Sequence, residues 1–148
     1  MAQDFAAFGK VFEPPPLGER THLAAAFENL REHARLDCYI NHREPTALPH
    51  SVSVMERHAY SSQAFMPCRV SRYVVAAAPA NAWGGPDLSR LQAFVARGSQ
   101  AVNYRTGVWH CPLIVLDEAA KFFVLMWKDG SAADEEFVDL AEPLQFVD

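Results

Sequence analysis

The 148-residue sequence has only three cysteines, Cys38, Cys68 and Cys111, and no CxxC pair. Three thiols cannot all pair within one chain, and they are too few for a disulfide framework or a thiolate zinc site, so a reducing compartment is expected. Long apolar runs are also missing. The longest, residues 73 to 80, is interrupted by Pro79 and falls far short of the roughly 20 residues that a membrane helix needs. The opening MAQDFAAFGK has no basic start followed by an apolar stretch, which together with the cysteines gives a cytoplasmic expectation. Basic charge is scarce: thirteen Lys and Arg against eighteen Asp and Glu leave a formal net charge of -5. That balance works against general attraction to nucleic acid or to an anionic membrane surface. No glycine-rich phosphate loop follows any predicted strand, and no repeat or interdomain linker divides the sequence.

What remains is half apolar, with ten Phe, four Tyr and three Trp, enough for one sizeable core and short for two. One domain over residues 1–148 is expected. Phe5 and Phe8 fit a short helical turn ending at Gly9 that pins the first residues to the body. Leu23, Phe27, Leu30 and Ala34 keep helical spacing after Thr21 as a cap. Leu36 to Ile40 and Ser51 to Met55 suggest strands, with a proline-containing loop from Arg43 to His50 between them. Arg69 to Ala78 suits a core strand. Asp87 then caps a predicted helix through Leu88, Leu91, Phe94 and Val95, stopped by Gly98. Ala101 to Tyr104, Leu113 to Leu116 and Lys121 to Trp127 are further strands, the last two joined by a predicted hairpin turn at Asp117 to Ala120. The apolar tail from Phe137 to Val147 is expected to pack back. Many short strands with one or two short helices predict an all-β barrel or sandwich.

Two polar clusters interrupt these strands. In the first, the i,i+2 spacing of Glu56 and His58 on an extended strand sends both side chains to one face and Arg57 to the other, and Gln63 follows after a turn. In the second, Tyr104 offers a phenol, Arg105 a guanidinium and His110 an imidazole, with Gly98 and Gly107 allowing tight backbone. Trp109 reads as core, and Cys111 as buried bulk rather than a nucleophile. The strands around the clusters, residues 51 to 78 and 100 to 127, are expected to face each other and bring His58 and His110 to one cavity.

The two clusters resemble a reduced form of the paired cupin motifs, with Glu56, His58 and Gln63 in the first and His110 in the second. That likeness makes these four residues a candidate divalent-metal set, since carboxylate and imidazole are ordinary ligands. The same side chains could bind an organic substrate with no metal, and no cofactor is required by the sequence.

More specifically, the chain resembles the ureidoglycolate lyase family. The resemblance is carried by Glu56-Arg57-His58, Ser62-Gln63-Ala64-Phe65 with Pro67, and Asp87-Leu88 leading to Leu91 and Phe94. It continues through Gly98, Gln100, Val102-Asn103-Tyr104, Gly107-Val108-Trp109-His110 and Pro112-Leu113. It covers residues 36 to 130 well and the first 35 loosely. The resemblance implies a cupin-like β-barrel (double-stranded β-helix), a homodimer, and cleavage of ureidoglycolate into glyoxylate and urea in allantoin and purine degradation. The sequence departs from the family's usual pattern at Arg105, Cys111 and Trp127-Lys128.

Ureidoglycolate carries a carboxylate, a hydroxyl and a ureido group on one carbon, so its cleavage needs a base for the hydroxyl proton, an acid for the urea nitrogen and donors for the carboxylate. His58 and His110 are the natural acid and base, since an imidazole titrates near neutral pH. Tyr104 is a third catalytic candidate, and Gln63, Arg57, Arg105 and Lys128 are substrate-binding candidates. Two rival readings use the same residues: a non-catalytic module that binds a small metabolite, and a metal-dependent cupin enzyme acting on another small hydroxy or keto acid.

Overall fold

A computed structural model describes residues 1–147. Its strands are β1 (Gly9–Phe12), β2 (Arg35–Arg43), β3 (His50–Arg57), β4 (Gln63–Arg69), β5 (Arg72–Ala78) and β6 (Gln92–Arg97). They continue with β7 (Ala101–Tyr104), β8 (Trp109–His110), β9 (Ile114–Leu116), β10 (Ala120–Lys128) and β11 (Glu136–Phe146). One sheet has the order β1-β7-β4-β10-β2; the other has β11-β3-β8-β5-β6, with β9 also against β5. The all-β expectation holds. Among the described residues helical structure is confined to short 3-10 turns, and no helix is long and apolar enough to cross a membrane.

The apolar run in β5 has a simple cause. Tyr73, Val75 and Ala77 join a core between the two sheets with Phe65, Val102, Phe122 and Val124. Val74, Ala76 and Ala78 point the other way into a second cluster with Met55, Trp109 and Ile114, covered by Leu140, Leu144 and Phe146 of β11. A strand buried on both faces cannot alternate polar with apolar residues, so it is continuous in sequence. The tail packs back as expected, pairing β11 with β3.

Two predicted helices are absent. Residues 87 to 97 form one 3-10 turn, Leu88–Arg90, and then strand β6 along β5. Leu91 packs with the outer cluster and Phe94 with the inter-sheet core, so residues spaced for one helical face serve opposite faces of a sheet. Tertiary pairing has overridden local periodicity. Gly98 is needed for another reason: a Cβ there would lie 1.8 Å from the Val70 carbonyl oxygen. The stretch from Thr21 to Ala34 holds the 3-10 turn Ala24–Ala26, a bridge from Asn29 to Ser61 and a turn closed by Ala34 N–H on the Arg31 carbonyl. The turn at Asp117 to Ala120 is likewise no hairpin, because β9 pairs with β5 in one sheet and β10 with β2 and β4 in the other. Here the chain crosses between sheets, with Asp117 at φ 67°.

Candidate active site

β3 carries Glu56 to its end, where it stands directly across from His110 of β8. Side chains of such a pair share a face and lie side by side. His110 Nε2 is 3.4 Å from Glu56 Oε1 and 3.1 Å from Gln63 Oε1. Gln63 opens β4 in the other sheet, so the site joins the two layers. His58 follows β3 by one residue, and its ring centroid lies 5.5 Å from that of His110. The two polar clusters therefore converge as expected, but the cavity beside them is lined by Glu56 and Gln63 and by neither histidine. Potential ligand atoms of Glu56, His58 and His110 all fall within 4.8 Å of one another.

Each imidazole is oriented by a backbone carbonyl. His58 Nδ1 donates to the Asp134 carbonyl at 2.9 Å, which leaves Nε2 as the ring's lone-pair atom, and that buried atom has no hydrogen-bond partner. His110 Nδ1 donates to the Val108 carbonyl at 3.0 Å. Its Nε2 then faces two acceptor oxygens, an arrangement satisfied by a proton on each ring nitrogen. By turning its amide, Gln63 could donate to the neutral ring instead.

Burial opposes ionisation of Glu56, but the hydrogen bond and charge of His110, with His58 and Arg43 behind it, outweigh that and hold the carboxyl below its ordinary range. Burial, reinforced by the neighbouring His110, holds His58 below 6.5, against the pull of the Asp134 carbonyl and Glu56. The site thus favours a neutral His58 beside an ionised Glu56.

The tight backbone expected at Gly107 is present, but the contacts of Glu28, Arg31 and Asp134 that hold these residues were not foreseen. Glu28 ties the two clusters together: its carboxylate accepts from Thr106 N and Oγ1, its carbonyl from Ser62 N, and its own N–H donates to Ser62 Oγ. Gly107, at φ 76°, donates to the His58 carbonyl at 2.9 Å from a conformation that glycine adopts without strain. Asp134, whose carbonyl orients His58, has its carboxylate held by Arg31 and by the N–H groups of Asp129 and Gly130.

Glu56 and Gln63 open onto a cavity of about 320 Å³. Its other walls include Tyr39, Asn41 and Arg43 of β2, Pro112, Leu113 and Glu135. A second hollow of about 300 Å³, beside Phe12, Leu23 and Met66, has Glu13 as its single titratable side chain and lacks the acid-base pairing found here.

The remaining sequence candidates do not line the cavity. Tyr104 is wholly buried beneath His110, its hydroxyl unpartnered and pushed well above its ordinary pKa by burial. Arg57 points away, bonded to Glu136 at 2.7 Å and to the Gly84 carbonyl at 2.9 Å, and lies over the Trp109 ring. Arg105 reaches the Ala6 carbonyl at the surface. Lys128 pairs with Glu135 at 2.9 Å and with Asp37 at 3.7 Å. Trp109 is core as expected, and burial pushes the Cys111 thiol up to about 12, so no nucleophilic thiolate forms there at neutral pH. Sequence reasoning missed Tyr39, Asn41 and Arg43. Their signal was the polar series Arg35, Asp37, Tyr39, Asn41, Arg43 at every second position of one strand.

The sequence model of the family described as ureidoglycolate lyase matches residues 1–146. The chain belongs to the ureidoglycolate lyase family. A ureidoglycolate lyase of Rhizobium leguminosarum bv. trifolii is 39% identical over 143 residues, covering 90% of this chain and 84% of its own. One from Burkholderia mallei is 39% identical over 154 residues, covering 97% and 88%. One from Schizosaccharomyces pombe is 40% identical over 88 residues, 57% of this chain and 46% of the relative. Among solved structures, RmlC from Streptococcus suis overlaps 66% of this chain and 46% of its own at 10% identity and a TM-score of 0.44. The ureidoglycolate lyase match takes in the first 35 residues, which contain the Glu28 and Arg31 contacts to the site.

Proposed function

We propose that this protein is a ureidoglycolate lyase, releasing glyoxylate and urea, with His58 as base and His110 as acid. The observation that carries this reading is the meeting of His58 and His110 with Glu56 and Gln63, the two that open onto the cavity, in a member of that family. His58 offers an unpartnered Nε2 lone pair to take the hydroxyl proton. The oxygen's electron pair then forms the aldehyde C=O as the C–N bond breaks, and the departing nitrogen takes a proton from His110 Nε2. Glu56 stands within reach of both rings and stabilises whichever is cationic. Proton transfer of this kind supplies a factor of about 10² to 10⁴ in rate.

A divalent cation also fits these side chains. Glu56, His58 and His110 would hold it through one carboxylate and two imidazoles, with Gln63 at its edge, and the buried lone pair of His58 Nε2 suits a ligand. Bound there, the cation would supply Lewis-acid polarisation of a substrate oxygen. The cupin-like barrel remains our reading of how the two sheets relate, within one domain. We read the protein as a homodimer, supported by an outer apolar row in the first sheet where Ile40 pairs with Phe123 and Leu36 with Trp127. Sedimentation at micromolar concentration tests that point: a monomer would end it.

The functional test is glyoxylate release from ureidoglycolate, corrected for spontaneous breakdown. Wild type should exceed background, and His110→Asn should remain folded by circular dichroism while losing most of the rate. No rate above background in wild type would remove the assignment. An active, folded His110→Asn would discard this account of the site.

A further inference from the structure

Resting on the reading of this cavity as a ureidoglycolate site, we infer that Arg43 is the anchor for the substrate carboxylate. β2 runs antiparallel to β10 with Arg43 opposite Ala120, Asn41 opposite Phe122 and Tyr39 opposite Val124. Ala120, Phe122 and Val124 are fully buried. Opposed residues share a face, so Arg43, Asn41 and Tyr39 stand on the inner side of the sheet, and all three line the cavity beside Glu56 and Gln63.

The other nearby cations are already engaged. Arg57 is bonded to Glu136, Arg105 to a backbone carbonyl, and Lys128 to Glu135 and Asp37. The Arg43 side chain makes no hydrogen bond or ion pair with any described residue. Its influence on Glu56 is by charge alone. The carboxylates around the cavity do not claim it either: Glu135 is paired with Lys128, and Glu56 with His110. A guanidinium left unpaired at the mouth of a cavity is suited to the two-pronged recognition of a small carboxylate. Asn41, next on the same face, offers an amide to the ureido group.

The probe is ureidoacetate, which keeps the carboxylate and ureido groups but has no hydroxyl to deprotonate, and its neutral amide serves as control. Calorimetry should show wild type binding ureidoacetate and Arg43→Gln binding it about 10- to 100-fold more weakly. Arg43→Lys should fall between, since it keeps the charge and loses the fork, and affinity for the amide should not change. With ureidoglycolate, Arg43→Gln should raise KM more than it lowers kcat. Arg43 is exposed at the rim, so the variants should stay folded by circular dichroism. Equal affinity of wild type and Arg43→Gln for ureidoacetate would overturn the anchor, as would no binding of ureidoacetate to wild type. Arg43-dependent binding in a protein that releases no glyoxylate would keep the anchor and end the lyase reading. A lyase whose KM ignores Arg43→Gln would do the reverse.

Discussion

Tyr104 lies flat against His110, with ring centroids 4.1 Å apart and planes 11° from parallel. The phenol edge is packed among Phe5 and Phe65, and its oxygen is unpartnered. The ring therefore acts as the seat of His110, and burial keeps its proton on the phenol oxygen at neutral pH.

Tyr104→Phe should keep glyoxylate release within about threefold of wild type, because it retains the stacked ring. Tyr104→Ala should destabilise the fold by about 3–5 kcal/mol, as deletion of a buried aromatic does, and lose activity with it. If the phenol donated a proton in the reaction, Tyr104→Phe would instead cost a factor of about 10² or more. Steady-state rates with a urea melt decide between the two.

His58 gives the reaction an acid limb. Its folded pKa lies below 6.5, so on acidification the unfolded chain binds this proton before the native protein does. Stability should fall as pH drops from about 6.5 toward the folded value. In His58→Gln that part of the slope should vanish, measured as melting temperature against pH. In wild type, activity should decline over a range lower than an unperturbed histidine would give.

Metal binding has its own readout. Zn²⁺ or Ni²⁺ added to metal-free protein should raise its melting temperature, since a ligand of the native state alone stabilises it. Glu56→Gln and His58→Gln should each abolish the rise. The effect should weaken below neutral pH, where imidazoles must lose protons to bind the ion. An unchanged melting temperature in wild type would leave the acid-base pair as the whole of the site.

Asp117 offers a test far from the cavity. Hydrogen bonds from Arg72 and Ser71 pull its carboxyl down to about 2. A depressed carboxyl stabilises the fold above its unfolded value and loses that contribution as pH falls through its folded one, a window of about 4 to 2. Asp117→Asn should flatten the melting temperature across that window while tolerating the positive φ. Asp117→Leu, which does not tolerate it, should melt lower at every pH.

Much of this was legible in the sequence because it rests on short-range geometry. Glu56 and His58 share a face by strand alternation, and β5 reads as a buried strand from its continuous apolar run. Pairing partners are not local. Leu88, Leu91, Phe94 and Val95 fit a helical stripe until β5 draws β6 alongside and sends Leu91 and Phe94 to opposite faces. The same limit hid Arg43. In β2 the inner face is polar because it lines a cavity, while Leu36 and Ile40 lie outward, reversing the usual assumption about which side is core. Arg57 and Lys128 looked available because their carboxylate partners, Glu136 and Glu135, are supplied by the later turn and strand.

The hydrogen bond from His58 to the Asp134 carbonyl makes the site a property of the entire thread of the chain. A fragment of residues 51 to 127 would contain Glu56, His58, Gln63, Tyr104 and His110, with the Val108 carbonyl that orients His110, yet lack the carbonyl that orients His58 and the carboxylate that ties the two turns together. Glu28 and Arg31 reach in from before that span, and Asp134 from after it. Catalytic competence should therefore arrive late in folding, once both flanks have docked, and a chain cut in the segment between β1 and β2 could recover it by reassociation of its two pieces.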